Sequence, residues 1–258
     1  MCFVQFSRHI CVTPLELSGT GVYAWGKAKG AMMTAKDRLL DAALNHALFD
    51  GWSEAAIEAA RADIGMSAEE ARALFPRGAV DLALAYHRRG DDEMIKGLAG
   101  EDLSALRFRD RIALAVQIRL EVADKELVRR GFSLFALPQH AGDGARALWE
   151  TADHIWTALG DTSRDINWYT KRASLAAVYS ATALFWLGDE SPGQEETWAF
   201  LDRRIENVMQ FEKVKAKARK NPLYAAFMKG PGRALDHVRA PGAPREGYPG
   251  HWKTGTEE

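Results

Sequence analysis

An all-α fold is what this sequence predicts, and three observations predict it. From Thr34 onward, apolar residues recur at the three- and four-residue spacing of one helix face. Sustained alternation of apolar and polar residues, the mark of a half-buried strand, is absent from the body of the chain. Helix starts and stops punctuate the pattern, as Ser-x-x-Glu boxes, glycines past apolar runs and a proline in a first turn. The chain of 258 residues is long enough for one large domain or two smaller ones, and 47% apolar with 27% charged residues is an ordinary globular composition. A net charge of -1 gives no global attraction to nucleic acid or to an anionic membrane, so either would need a local patch. No run approaches the roughly 20 apolar residues of a membrane-spanning helix. Cys2 and Cys11 are the only cysteines, which excludes a disulfide framework or a cysteine metal site and points to a reducing compartment.

The first 32 residues follow no period and are broken by Gly19, Gly21, Gly26 and Gly30. Their basic excess (Arg8, Lys27 and Lys29 against Glu16) resembles a targeting peptide faintly, without its apolar core and cleavage site. Met32 and Met33 stand directly before the first good helix. Residues 1–32 are therefore read as a disordered lead or a misassigned start of translation.

Thr34-x-x-Asp37 resembles a capping box for a first helix with Leu39, Leu40, Ala43, Leu44, Ala47 and Leu48 on one face, ending before Gly51. Ser53 caps a second, and Ser67-x-x-Glu70 opens a short third that Pro76 stops. A fourth carries Val80, Leu82, Leu84 and Tyr86 to Gly90, and Asp91 starts another with Met94, Ile95 and Leu98. The second and third helices have the shape of a helix-turn-helix. Glu69 and Glu70 occupy the first turn of its second helix, where a DNA reader needs donors and positive charge. They suit the positive end of the helix dipole instead.

Leu103 to Arg130 reads as one long helix or two abutting ones. Arg107, Arg109, Arg111 and Arg119 are placed on its solvated face, paired to acids such as Asp110. After a break at Pro138, a helix runs from Gly142 or Gly144 to Gly160. The next, from Asp165 to Leu187, carries large groups on one stripe (Trp168, Leu175, Tyr179, Thr182, Trp186) and small ones on a neighbouring stripe (Ala173, Ala176, Ala177, Ser180, Ala183). Ser191 and Pro192 start the last helix, and two adjacent antiparallel helices of this kind can form half of a four-helix dimer interface. From Lys213 to Arg233 there is no acid. The segment suits either a membrane interface or a solvated helix end, with Pro222 and Pro231 limiting any continuous helix.

Catalytic constellations are missing: there is no phosphate-binding glycine loop, HExxH or G-x-S-x-G elbow, and the histidines are dispersed. Glu150 and His154 have the wrong spacing for a helical di-iron site. No catalytic residue, metal site or cofactor is expected.

One stretch is specific. Asp165-Ile166-Asn167-Trp168-Tyr169-Thr170-Lys171-Arg172, Leu175-Ala176-Ala177-Val178-Tyr179, Asp189-Glu190-Ser191-Pro192 and Thr197-Trp198-x-Phe200-Leu201-x-x-Arg204 resemble the Coq-nine family, accessory lipid-binding proteins of ubiquinone (coenzyme Q) biosynthesis. Leu137-Pro138 falls where that family carries its Leu-Pro, and the likeness runs from Thr34 to about Arg219. The resemblance implies a TetR-like all-α fold: a degenerate helix-turn-helix domain (33–90), a helical lipid-binding and dimerising domain (91–220) and a basic amphipathic and flexible tail (221–258). It implies a non-enzymatic factor that binds an isoprenoid lipid or quinone intermediate and presents it, at the membrane surface, to a di-iron (or other) hydroxylase.

On that basis the partner surface comprises Leu137, Pro138, Asp165, Asn167, Trp168, Tyr169 and Arg172. The membrane segment comprises Lys213, Lys215, Lys217, Lys220, Leu223, Phe227 and Lys229, although its prolines and glycines depart from the family's membrane helix. Trp156, Leu159, Leu175, Tyr179, Trp186 and Trp198 suit a lipid cavity and suit ordinary core packing equally. The expected setting is cytoplasmic, peripheral on the inner membrane in a bacterium and on the matrix side in a mitochondrion, as a homodimer without nucleic acid. The competing readings are a TetR-type ligand-responsive transcription repressor and a helical scaffold without a ligand.

Overall fold

The structure of the protein is a computed structural model that describes residues 33–218 and 238–241. Among these residues there is no strand, and the chain runs through nine α-helices: α1 (Ala35–Asp50), α2 (Glu54–Asp63), α3 (Ala68–Leu74), α4 (Ala79–Ala99), α5 (Phe108–Glu121), α6 (Lys125–Phe135), α7 (Ala141–Ala158), α8 (Ile166–Gly188) and α9 (Glu195–Ala218). A single 3-10 turn, Pro192–Gln194, precedes α9.

Local chemistry sets most of the boundaries. The Ser53 hydroxyl accepts from Ala56 N–H at 3.1 Å and starts α2. Ser67 and Glu70 exchange hydrogen bonds at 3.1 Å in both directions, the capping box expected for α3. Glu69, Glu70 and Arg72 remain exposed on that helix.

One boundary differs from the sequence expectation. α4 runs unbroken through Gly90, where a helix end was expected. A Cβ at Gly90 would lie 2.5 Å from the Arg119 guanidinium of α5, so this glycine admits a crossing side chain and does not end a helix. The segment from Leu103 to Arg130, expected as one long helix or two abutting ones, is two helices, α5 and α6, the first beginning at Phe108. Asp124 separates them, its carboxylate accepting from Glu126 N–H at 2.8 Å and Leu127 N–H at 3.0 Å.

The apolar stripes bury in two clusters. Leu39, Leu40, Ala43, Phe75 and Leu82 join α1 and α3 to the first half of α4, with Trp52 and Leu127 of α6 beside them. Met94, Val116, Leu120, Ile155, Leu175, Trp186 and Leu201 join the second half of α4 to α5, α7, α8 and α9. At roughly 1.5–3 kcal/mol per large side chain, these clusters are the main source of stability. Helix α4 reaches into both, which places its middle residues between them.

Candidate functional site

A cavity of about 330 Å³ lies among α4, α6, α7 and α8. Its wall is mostly apolar: Leu127, Val128, Phe132 and Phe135 from α6, Leu148 from α7 and Ala83 from α4. The small residues Gly131 of α6 and Ala141, Gly144 and Ala145 of α7 line it too. Gly144 is also needed for the approach of the two helices, since a Cβ there would stand 2.7 Å from Phe135 Cβ.

Five polar side chains reach the wall: Trp52, Tyr86, His87, Arg119 and Tyr179. The first four are tied to protein partners. Trp52 Nε1 donates to Leu127 O at 3.1 Å, and Tyr86 Oη accepts from Asp124 N–H at 2.8 Å. Arg119, 3% exposed, donates through Nε to Asp91 Oδ1 at 2.7 Å and through a terminal nitrogen to His87 O at 2.9 Å. Thr151 donates to Asp91 Oδ1 at 2.9 Å, so its hydroxyl oxygen is left to accept from His87 Nε2 at 2.8 Å. Asp91 is fully buried and faces His154 Nδ1 at 3.5 Å through Oδ2.

The titration of these groups follows from that arrangement. Burial, reinforced by the Arg119 charge, holds His87 down at about 4, so it is neutral at physiological pH. Burial pushes Tyr86 up to about 12 and raises Tyr179 as well, so both keep their protons. Burial works against the Asp91 carboxylate, but His154, His87 and Arg119 outweigh it and its pKa is lowered.

Of the six residues expected at a lipid site, Tyr179 lines this cavity. Leu175, Trp186 and Trp156 are buried in the second cluster, with Leu159 and Trp198 packed at its edge. Their indole nitrogens are satisfied within the protein: Trp156 by Lys171 O at 3.1 Å, Trp186 by Gln194 Oε1 at 2.6 Å and Trp198 by Gly193 O at 3.0 Å.

The residues expected at a partner surface divide. Asp165 caps α8 by accepting from Asn167 N–H at 3.0 Å, and both carry their side chains at the surface. Trp168 and Tyr169 follow, edge to face at 4.8 Å, with Trp149 of α7 at 5.8 Å and 6.3 Å from their rings. Arg172 lies beneath, 2% exposed, its guanidinium 4.0 Å from the Trp168 ring centroid. It donates to Asp153 at 2.5 Å and to Asp161 at 2.9 Å. Although Asp161 is desolvated, Lys171, Ser163 and Arg172 hold its carboxyl down at about 2. Leu137 and Pro138 are exposed at the turn between α6 and α7. The start of α7 beside that turn, Ala141, is about 12 Å along the helix from Trp149, at 1.5 Å per residue.

Residues 238–241 return to this surface: Tyr169 Oη donates to Arg239 O at 3.2 Å and Ala240 N–H to Arg164 O at 3.0 Å. Of the residues expected at a membrane, Lys213 and Lys217 are exposed on α9. The Lys215 side chain and all of Lys220, Leu223, Phe227 and Lys229 lie outside what the structure describes. Among the described residues no helix is long and apolar enough to cross a membrane, and no three His, Cys, Asp or Glu side chains cluster to hold a metal.

Sequence reasoning missed the α6 wall and Arg119. The wall was legible in the apolar spacing of Val128, Phe132 and Phe135. Arg119 was expected on a solvated face and is instead the buried partner of Asp91.

An all-helical chain with a helix-turn-helix-like α2–α3 pair and a cavity among its later helices defines the class: a protein of TetR-like fold. A TetR transcriptional regulator from Nitrosomonas europaea superposes with a TM-score of 0.51 over 66% of this chain and 95% of its own, at 21% identity, which speaks to fold alone. The resemblance carried by Asp165 to Arg204 is to the COQ9 family, whose model matches residues 141–212. The human ubiquinone biosynthesis protein COQ9, mitochondrial, is 31% identical over 181 residues, 67% of this chain. Its Drosophila melanogaster counterpart is 31% identical over 192 residues, 72% of this chain. The chain spans 57% of the length of the human protein and 59% of the fly protein.

Proposed function

We propose that this protein serves ubiquinone biosynthesis as a non-enzymatic carrier that holds an apolar isoprenoid intermediate and presents it to a hydroxylase of the pathway at the membrane surface. The pathway comes from the names of its relatives, which also place those relatives in mitochondria. The observation that carries the reading is the apolar cavity, whose volume falls in the range of small-molecule sites. Tyr179 contacts the ligand. Leu175, Trp186, Trp156, Leu159 and Trp198 support α8 from behind. The hydroxylase, di-iron or of another type, docks at the start of α8 around Asp165, Asn167, Trp168 and Tyr169, with Leu137 and Pro138 at a second contact. The exposed lysines Lys213 and Lys217 lead into the membrane segment, and α8 and α9 supply the homodimer face.

The repressor reading has little support, because Glu69 and Glu70 are exposed in the first turn of α3 and oppose the electrostatics of a phosphate backbone. Extraction of lipids from the purified protein, with identification by mass spectrometry, tests the carrier reading. Wild type should release a stoichiometric isoprenoid, and Ala145→Trp, which fills the cavity from an exposed position, should release less than a third as much with unchanged helicity. A wild-type protein that is empty in every preparation would overturn carriage.

A further inference from the structure

The cavity holds one polar group that the protein leaves without a partner. Tyr179 is 4% exposed and lines the cavity, yet among the described residues its hydroxyl makes no hydrogen bond. The hydroxyl is not among the buried side-chain atoms left without a partner, so it keeps some accessible surface; in a residue this buried that lines the cavity, water or a ligand can complete it. The neighbouring polar groups each have a protein partner: Tyr86 Oη accepts from Asp124 N–H, His87 Nε2 bonds Thr151, and Arg119 donates to Asp91 and His87 O.

We propose that the Tyr179 hydroxyl is the polar anchor of the cavity, donating a hydrogen bond to a neutral oxygen acceptor, of the ketone or quinone-carbonyl class, on an otherwise apolar ligand. Burial keeps the phenol protonated, so it has an O–H to donate, and a carbonyl oxygen takes that proton without bringing a further donor that the apolar wall would leave unpaired. The choice of a neutral ligand follows from the apolar wall and from Arg119, whose charge is already balanced by Asp91; an ionised group would be desolvated there with no free counter-ion. Arg119 sits 5.8 Å above the Tyr179 ring, so its place is to hold that ring and not to bind the ligand. This inference rests on the reading of the cavity as the ligand site.

Matched probes test it by equilibrium dialysis against the full chain: hexanophenone, which carries one carbonyl, and hexylbenzene, which carries none. Tyr179→Phe removes only the hydroxyl and keeps the ring in the wall. It should weaken hexanophenone about fivefold, the size of a net hydrogen bond, and leave hexylbenzene within twofold. Equal responses of the two probes would overturn the anchor while preserving the apolar site. Failure of wild type to bind either probe would overturn the ligand reading of the cavity and the anchor with it.

Discussion

Arg119 shows how a residue's own helix can disclose its environment. Its neighbours at three and four residues on either side are Ala115, Val116, Val122 and Ala123, all apolar, with no acid to pair with. Arg107, by contrast, has Asp110 three residues on and pairs with it at 2.7 Å on the surface. The burial of Arg119 was therefore legible on α5, but its partner was not, since Asp91 lies 28 residues away on another helix. Gly90 completes the arrangement by leaving room for the guanidinium. The substitution Gly90→Ala should raise intrinsic helix propensity by about 1 kcal/mol. Overpacking against a guanidinium pinned by Asp91 should nevertheless win, at about 2–3 kcal/mol, because Arg119 cannot retreat without taking its charge away from the buried Asp91 carboxylate. Urea denaturation should thus show a lower midpoint for Gly90→Ala. A stabilised variant would mean that Arg119 has another place to go.

Among the helices, the caps of α2 and α3 were the most readable part of the chain, because Ser53 and Ser67 act on backbone groups three residues away, while Asp165, which caps α8 in the same way, was read only as part of a surface. The break between α5 and α6 was harder, since Asp124 sits among other charged residues (Glu121, Lys125, Glu126) and acts only because its side chain reaches forward to the Glu126 and Leu127 N–H groups. The start of α8 was read as one surface, whereas the helix divides it by periodicity: Trp168 lies half-buried against Trp149, and Arg172, one turn on, points inward to Asp153 and Asp161. Two substitutions should separate these roles. Arg172→Met removes the cation from a buried carboxylate and should cost about 2 kcal/mol or more, discounted because Asp161 keeps Lys171 and Asp153 is partly exposed. Trp168→Lys should lose aromatic contacts worth about 1–2 kcal/mol and fold with near-wild-type helicity; if the start of α8 is the hydroxylase contact proposed above, the variant should bind that enzyme at least tenfold more weakly. Undiminished hydroxylase binding by a folded Trp168→Lys protein would remove this surface from the mechanism.

At the scale of the whole molecule, the two stripes of α8 serve different neighbours. The large stripe is consumed by the fold, with Leu175, Tyr179, Thr182 and Trp186 all buried. The small stripe divides: Ala173 and Ala177 are exposed, Ala176 and Ser180 half-buried and Ala183 buried, while Leu184, on the same side of the helix as Ala177, is 55% exposed. Met209 and Phe211 of α9 are exposed as well, and the Phe185–Phe200 ring stack at 4.6 Å packs the two helices together. A rigid pair of helices with small residues outward permits close approach by another helix pair, and a second copy related by a two-fold axis would present the same face. The periodicity made both stripes visible, but no single sequence states which one the fold leaves uncovered. If α8 and α9 form the homodimer interface, the protein should sediment as a dimer at micromolar concentration. Leu184→Glu would place two carboxylates near the two-fold axis and should yield a folded monomer with an affinity loss of at least tenfold. A wild-type protein that sediments as a monomer at tens of micromolar would show that this apolar face is not a dimer interface. A Leu184→Glu protein that remains dimeric would move the interface off α8.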